Sequence, residues 1–155
     1  MANTYKKVYL HVVFAVKNRK ALLHKYWRHR LFIYILKALR ERGQFPLAVN
    51  GHVYHVHLFF DYSCNELISD LVREIKKSSH QFIVDNNMTS FKFDWQSGYG
   101  VFSNSPSEKD RIIKYIINQD EHHGSRSFKD EYLSMLERYE IQYKDEYVFK
   151  FFEKL

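Results

Sequence analysis

The sequence predicts an α+β domain of the ferredoxin-like kind: an antiparallel sheet built in the order β-α-β-β-α-β, followed by additional C-terminal helices. Three observations carry this. Apolar residues alternate with period two around residues 8–17 and 52–61, and they recur at helical spacing in 27–42 and again from Ile68 to Phe82. Asn50-Gly51, a strong hairpin signal, stands between two strand-like runs. The 155 residues suit a single domain spanning 1–155.

The elements follow in order. In 8–17, Val8, Leu10, Val12, Phe14 and Val16 make one apolar face, and Tyr9, His11, Val13 and Ala15 make the other. Lys17-Asn18-Arg19-Lys20 closes the strand as a basic loop. The spacing of Leu31, Ile35, Leu36 and Leu39 predicts a helix over 27–42, stopped by Gly43. Residues 45–49 form a second strand, with Pro46 near its start. The Asn50-Gly51 turn then leads to a third strand over 52–61. Ser63-Cys64-Asn65-Glu66 reads as a capping box that opens a helix running to about Val84. Residues 91–95 read as the fourth strand, and the Gly-rich stretch 96–104 carries no clear pattern. Ser105-Pro106-Ser107-Glu108 combines an N-cap, a first-turn Pro and a Glu at the third position, predicting a helix over about 106–122. A further amphipathic helix covers 128–139, within a C-terminal helical region of about 128–155. This order leaves the second sheet face for a ligand or for the later helices.

Composition narrows the function. With 45% hydrophobic residues, two prolines and five glycines, the chain is not disordered. No apolar run approaches the roughly 20 residues of a membrane span. A lone Cys64 and the lack of a leader-like segment predict a soluble cytoplasmic protein. The net charge of +6 is uneven: residues 1–42 hold eleven Lys and Arg against one acidic residue, Glu41. That asymmetry suits a polyanion, and it equally describes a solvated basic helix. Lys25-Tyr26-Trp27-Arg28-His29-Arg30 interleaves rings and cations as single-stranded nucleic acid requires, although Tyr26 and Trp27 also suit packing at a helix start.

Two constellations carry chemistry. In His55-Val56-His57, alternation puts Tyr54, Val56, Leu58 and Phe60 on the apolar face, so both histidines share the other. With Cα atoms roughly 7 Å apart, both imidazoles can grip one ion; two histidines on a solvated face fit the same pattern. Along 114–123, Ile112, Ile113, Ile116 and Ile117 form an apolar arc, with Tyr115 and Gln119 side by side at its edge. His122 and His123 fall one turn further on. Read alone, Tyr115 is equally a rim aromatic and Gln119 a surface residue.

Taken together, His55-Val56-His57-Leu58-Phe59-Phe60, the segment 95–103 and Tyr115-Ile116-Ile117-Asn118-Gln119-Asp120-Glu121-His122-His123 resemble the single-tyrosine HUH transposases of small bacterial insertion sequences, particularly the REP-associated tyrosine transposase branch. The likeness also takes in His11-Val12-Val13-Phe14, Val49-Asn50-Gly51, Ile75-Lys76-Lys77-Ser78-Ser79 and Glu131-Tyr132-Leu133. It implies that His55 and His57 hold a divalent ion with Gln119 as third ligand; that donor set suits Mg2+ or Mn2+, and His122 or His123 is an alternative ligand or support. It implies Tyr115 as a nucleophile on single-stranded DNA, leaving a 5′-phosphotyrosine and a free 3′-hydroxyl, so that rejoining needs no nucleotide cofactor. Single-stranded DNA with hairpin ends would be the partner; Lys6, Lys7, Lys17, Arg19, Lys20, Arg28, Arg30, Lys76 and Lys77 are candidates for its phosphates and equally suit solvated surface charge. A homodimer is implied too, with Tyr115 able to act in trans and residues 96–104 as its hinge. One departure stands out: Val53-Tyr54 occupy the place where relatives carry Pro and an acidic residue, removing a carboxylate that would support the ion's ligands.

Two readings from other classes remain. One is a non-catalytic module binding single-stranded RNA on an open sheet, for which Gly98-Tyr99-Gly100-Val101-Phe102 is a faint echo of the usual signature. The other is a metal-dependent phosphodiesterase that uses the histidine pair and water.

Overall fold

The computed structural model describes residues 3–17, 23–122 and 126–144, and of His122 only the backbone. The element order is β1 (Tyr9–Ala15), α1 (Arg28–Glu41), β2 (Phe45–Gly51), β3 (His55–Asp61), α2 (Ile68–Asp85), β4 (Gly100–Asn104), α3 (Lys109–Ile117), α4 (Gln119–His122) and α5 (Phe128–Arg138). The four strands lie in the order β2-β3-β1-β4, and each neighbouring pair is antiparallel, as the ferredoxin-like reading expects.

Alternation along the central strands sorts two cores. Leu10, Val12, Phe14, Val56, Leu58 and Phe60 point towards α1 and α2, where Leu31, Ile35, Leu39, Leu71, Val72 and Ile75 meet them. The opposite face is not open. Tyr9, Ala48 and Phe59 pack against Ile112 and Ile116 of α3, while Val13, Ala15 and Phe102 pack against Phe128 and Leu136 of α5. The exposed platform needed by the RNA-module reading is therefore covered.

Several boundaries differ from expectation. Asn50-Gly51 is not the turn: Asn50 pairs with His57 and Gly51 with Val56, and the chain reverses over residues 52–54, closed by His52 N donating to His55 O at 3.1 Å. Gly51 is needed for space, since a Cβ there would lie 2.2 Å from His55 O. The fourth strand is Gly100–Asn104, not 91–95. Phe93 and Trp95 alternate because they plug the core; Trp95 makes one isolated bridge to Val16, stands edge-on to Phe14 at 4.8 Å, and donates its indole N–H to Ser79 Oγ at 3.0 Å. That pairing of β4 with β1 replaces much of the hinge expected over 96–104.

The box at Ser63–Glu66 does not form. Cys64 has φ 61°, Ser63 N donates to Gln44 Oε1 at 2.8 Å, Glu66 pairs with Arg42 at 2.7 Å, and α2 begins at Ile68. The box at Ser105 does form, with Ser105 N donating to Glu108 Oε1 at 3.0 Å, over a short 3-10 turn. The single helix expected over 106–122 is broken at Asn118, where Asn50 Nδ2 donates to the Ile116 and Ile117 carbonyls at 3.0 Å each. Gly43, at φ 80°, ends α1 as expected. The expected helical region beyond residue 144 lies outside the described residues.

Candidate active site

Between the α3 and α5 packing zones, the covered sheet face carries polar side chains. Alternation on β3 aims His55 and His57 there, and β1 adds His11 on the same side. All three are essentially buried. His11 Nε2 and His57 Nδ1 share a hydrogen bond of 2.7 Å. Burial, and then the neighbouring His57, push the His11 ring well below its ordinary pKa, so it stays neutral. A neutral His11 can accept a proton bond from His57 Nδ1, which leaves the Nε2 lone pair of His57 for a ligand. Support for the histidine pair thus comes from His11 on β1, whereas Val53-Tyr54, in the turn ahead of β3, offers no carboxylate.

The helices bring the other groups. Gln119, the first residue of α4, places Oε1 3.0 Å from His55 Nε2. Glu131 of α5 places Oε1 3.2 Å from His57 Nε2 and 3.3 Å from His55 Nε2. Its other oxygen accepts the hydroxyl of Tyr115, on α3, and lies 3.4 Å from Gln119 Nε2. The Tyr115 ring stands 5.9 Å from that of His57, at 88°. Phe128 stacks on His55 with centroids 4.0 Å apart. Burial, and then the Glu131 carboxylate, raise the Tyr115 phenol above its ordinary pKa, while the Arg126 charge acts the other way.

Ligand atoms of His55, His57 and Glu131 all lie within 4.8 Å of one another. Two imidazole nitrogens, a carboxylate oxygen and the Gln119 amide oxygen make a donor set of intermediate hardness that fits a divalent ion. Among the described residues, His55, His57, Gln119 and Tyr115 therefore converge. His122 ends α4 with its side chain undescribed, and His123 lies outside the described residues.

Sequence reading missed Glu131 as a site residue and gave His11 no role. Both left a signal. His11 is the polar member of its apolar set on β1, and Glu131 is a charge on the stripe that α5 forms from Phe128, Tyr132, Met135 and Leu136.

The basic residues scatter. Lys6 and Lys7 are exposed just ahead of β1, where Lys7 pairs with Asp61 at 3.0 Å. Lys17 and Lys77 are also exposed, and Arg19 and Lys20 lie outside the described residues. Arg28 pairs with Asp120 at 3.0 Å, tying the start of α1 to α4, and Arg30 donates to Asn86 Oδ1 at 3.3 Å. Lys76 turns inward: its ammonium donates to Gln96 O at 2.9 Å and Gly98 O at 2.5 Å, over the rings of Phe14 and Tyr99. Desolvation lowers its pKa to about 8. Trp27 is buried, whereas Tyr26 is 97% exposed.

Comparison with known proteins gives the arrangement its context. Residues 4–119 match the family model described as "Transposase IS200 like", a span that holds every group in the cluster except Phe128 and Glu131. A structure from Deinococcus radiodurans R1 assigned as a transposase is 21% identical with a TM-score of 0.60, covering 77% of this chain and 95% of its own. A REP-associated tyrosine transposase bound to a REP hairpin is 21% identical with a TM-score of 0.57, covering 80% of this chain and 73% of its own. No curated protein sequence matches. The two structures share the fold, and the family match runs unbroken from before β1 to the start of α4, so this chain belongs to the IS200-like transposases.

Proposed function

We propose that this transposase cuts and rejoins single-stranded DNA at insertion-sequence or repeat ends. In this reading the Tyr115 oxygen attacks a phosphodiester, the bond to the 3′-oxygen breaks, and the product is a 5′-phosphotyrosine with a free 3′-hydroxyl. The observation that carries it is the meeting of the Tyr115 hydroxyl, both imidazoles and Gln119 around one carboxylate. The hairpin-bound relative supports hairpin DNA as the substrate class.

Each side chain has a task. His55, His57 and Glu131, with Gln119, would hold Mg2+ or Mn2+, whose chemistry there is Lewis-acid polarisation of the scissile phosphate. Glu131 Oε2 takes the phenolic proton as the nucleophile forms, which answers the raised pKa of Tyr115. His11 keeps the His57 ring in the tautomer that presents Nε2. In the reverse step the freed 3′-hydroxyl attacks the phosphotyrosine and Tyr115 recovers its proton. A homodimer is part of the proposal, with Tyr115 acting in cis.

The test mixes the protein, Mn2+ and labelled single-stranded hairpin DNA, then resolves the products under denaturing conditions. A protein–DNA adduct should form, and Tyr115→Phe should abolish it. Cleavage without an adduct would instead assign water as the nucleophile, and binding without cleavage would assign a passive module.

A further inference from the structure

A cleft of about 590 Å³ opens between α3 and α5, and its lining includes Tyr115, Glu131 and His11. His55, His57 and Gln119 do not line it and are at most 1% exposed. The cleft therefore meets the cluster at Tyr115, Glu131 and His11. Three guanidiniums stand around it: Arg111 on α3, Arg126 just ahead of α5, and Arg138 in the last turn of α5. Glu131 and Glu137 share the lining, and Arg111 is already paired with Glu108 at 2.8 Å. Arg126 is held in place by donating to Asp130 O at 3.3 Å and to Ser134 Oγ. Its charge is felt at the Tyr115 hydroxyl, and those of Arg111 and Arg138 at the Tyr139 hydroxyl further along. This gathering lies in the part of the chain where seventeen acidic residues outnumber thirteen basic ones, so bulk charge does not account for it.

We propose that this cleft is the path by which the sugar–phosphate backbone of a single DNA strand reaches Tyr115, with Arg126 and Arg138 bonding the phosphates beside the one that is cut. The proposal rests on the strand-transfer reading and adds the strand's route. Guanidiniums suit it because their fixed fork bonds phosphate oxygens in pairs. Lys6, Lys7 and Lys17, exposed near the ends of β1, would then serve DNA outside the cleft.

The test is binding of a fluorescein-labelled oligothymidylate, followed by anisotropy across a KCl series in EDTA, where no cutting occurs. Each phosphate contact contributes about 0.7 to the slope of log affinity against log salt on a single strand. Arg126→Gln/Arg138→Gln should flatten the slope by about 1.4, and Arg126→Lys/Arg138→Lys should keep it. Lys37→Gln, on α1 against the other sheet face, should match the wild type. Arg138→Gln alone, exposed at the end of α5, should lower the slope by about 0.7 even where the double variant is unstable; an unchanged slope in it overturns the path. The adduct assay separates the two claims. An adduct with unchanged slopes defeats the cleft alone, whereas flattened slopes with no adduct retain the cleft and defeat strand transfer.

Discussion

Glu131 ties together groups from three elements: one oxygen faces the imidazoles of β3, and the other accepts the Tyr115 hydroxyl of α3 and lies near Gln119 of α4. As an anionic ligand it should matter more to ion affinity than Gln119, a neutral one. An ion at 100 times its Kd stabilises a fold by about 2.7 kcal/mol. Glu131→Gln should bind Mn2+ at least about tenfold more weakly, reducing that stabilisation by about 1.4 kcal/mol in thermal melts with and without Mn2+. Equal Mn2+ responses would remove Glu131 from the ligand set. At this scale the sequence was readable where a local pattern sufficed. His55, His57, Tyr115 and Gln119 follow from alternation and helical spacing joined to the family resemblance. Glu131 and His11 become site residues only through packing between elements distant in sequence.

Among the elements, β2, β3 and the turn between them decide where the histidines point. A Cβ on Gly51 would meet His55 O at 2.2 Å and Val56 Cα at 2.9 Å, both backbone atoms. Gly51→Ala should therefore cost about 2–4 kcal/mol in urea unfolding, with weaker Mn2+ binding because His55 moves. A cost below about 0.5 kcal/mol, the level of ordinary surface changes, would contradict the close approach. Lys76 offers a pH test. Its pKa is about 8 in the fold, against an ordinary 10.5. Between those values the unfolded chain binds more protons, so stability rises with pH across that window. Wild type should gain on Lys76→Met from about pH 8 to 10.5 and level off above it; a flat difference in urea unfolding would contradict the burial. The misread elements share a cause. Phe91, Phe93 and Trp95 alternate like a strand but lodge two rings in the core, while the glycines near β4 conceal a strand whose Gly100 leaves room for the Tyr132 hydroxyl, 2.9 Å from a Cβ there. Periodicity reports burial, and only tertiary pairing separates a plug from a strand.

For the molecule as a whole, the two sheet faces divide the labour. One, with α1 and α2, holds the larger core; the other, with α3 and α5, encloses the cluster of His55, His57, Tyr115 and Glu131. The β-α-β-β-α-β order was legible because each strand and helix carries its own period. The closing of the second face was not, since it depends on where the last helices dock. No helix among the described residues is long and apolar enough to cross a membrane. Because Tyr115 and the imidazoles meet within one chain, mixing Tyr115→Phe with His57→Ala protein should restore no adduct; restoration would show that the tyrosine serves a partner's site.

The central claim is covalent capture of DNA by Tyr115. Mass spectrometry of the tryptic peptide spanning residues 115–126, after reaction with hairpin DNA and nuclease trimming, tests it most directly. The account predicts a 5′-nucleotide phosphate added to that peptide at Tyr115. Cleaved DNA with the peptide unmodified, or the added mass on another residue, would contradict it.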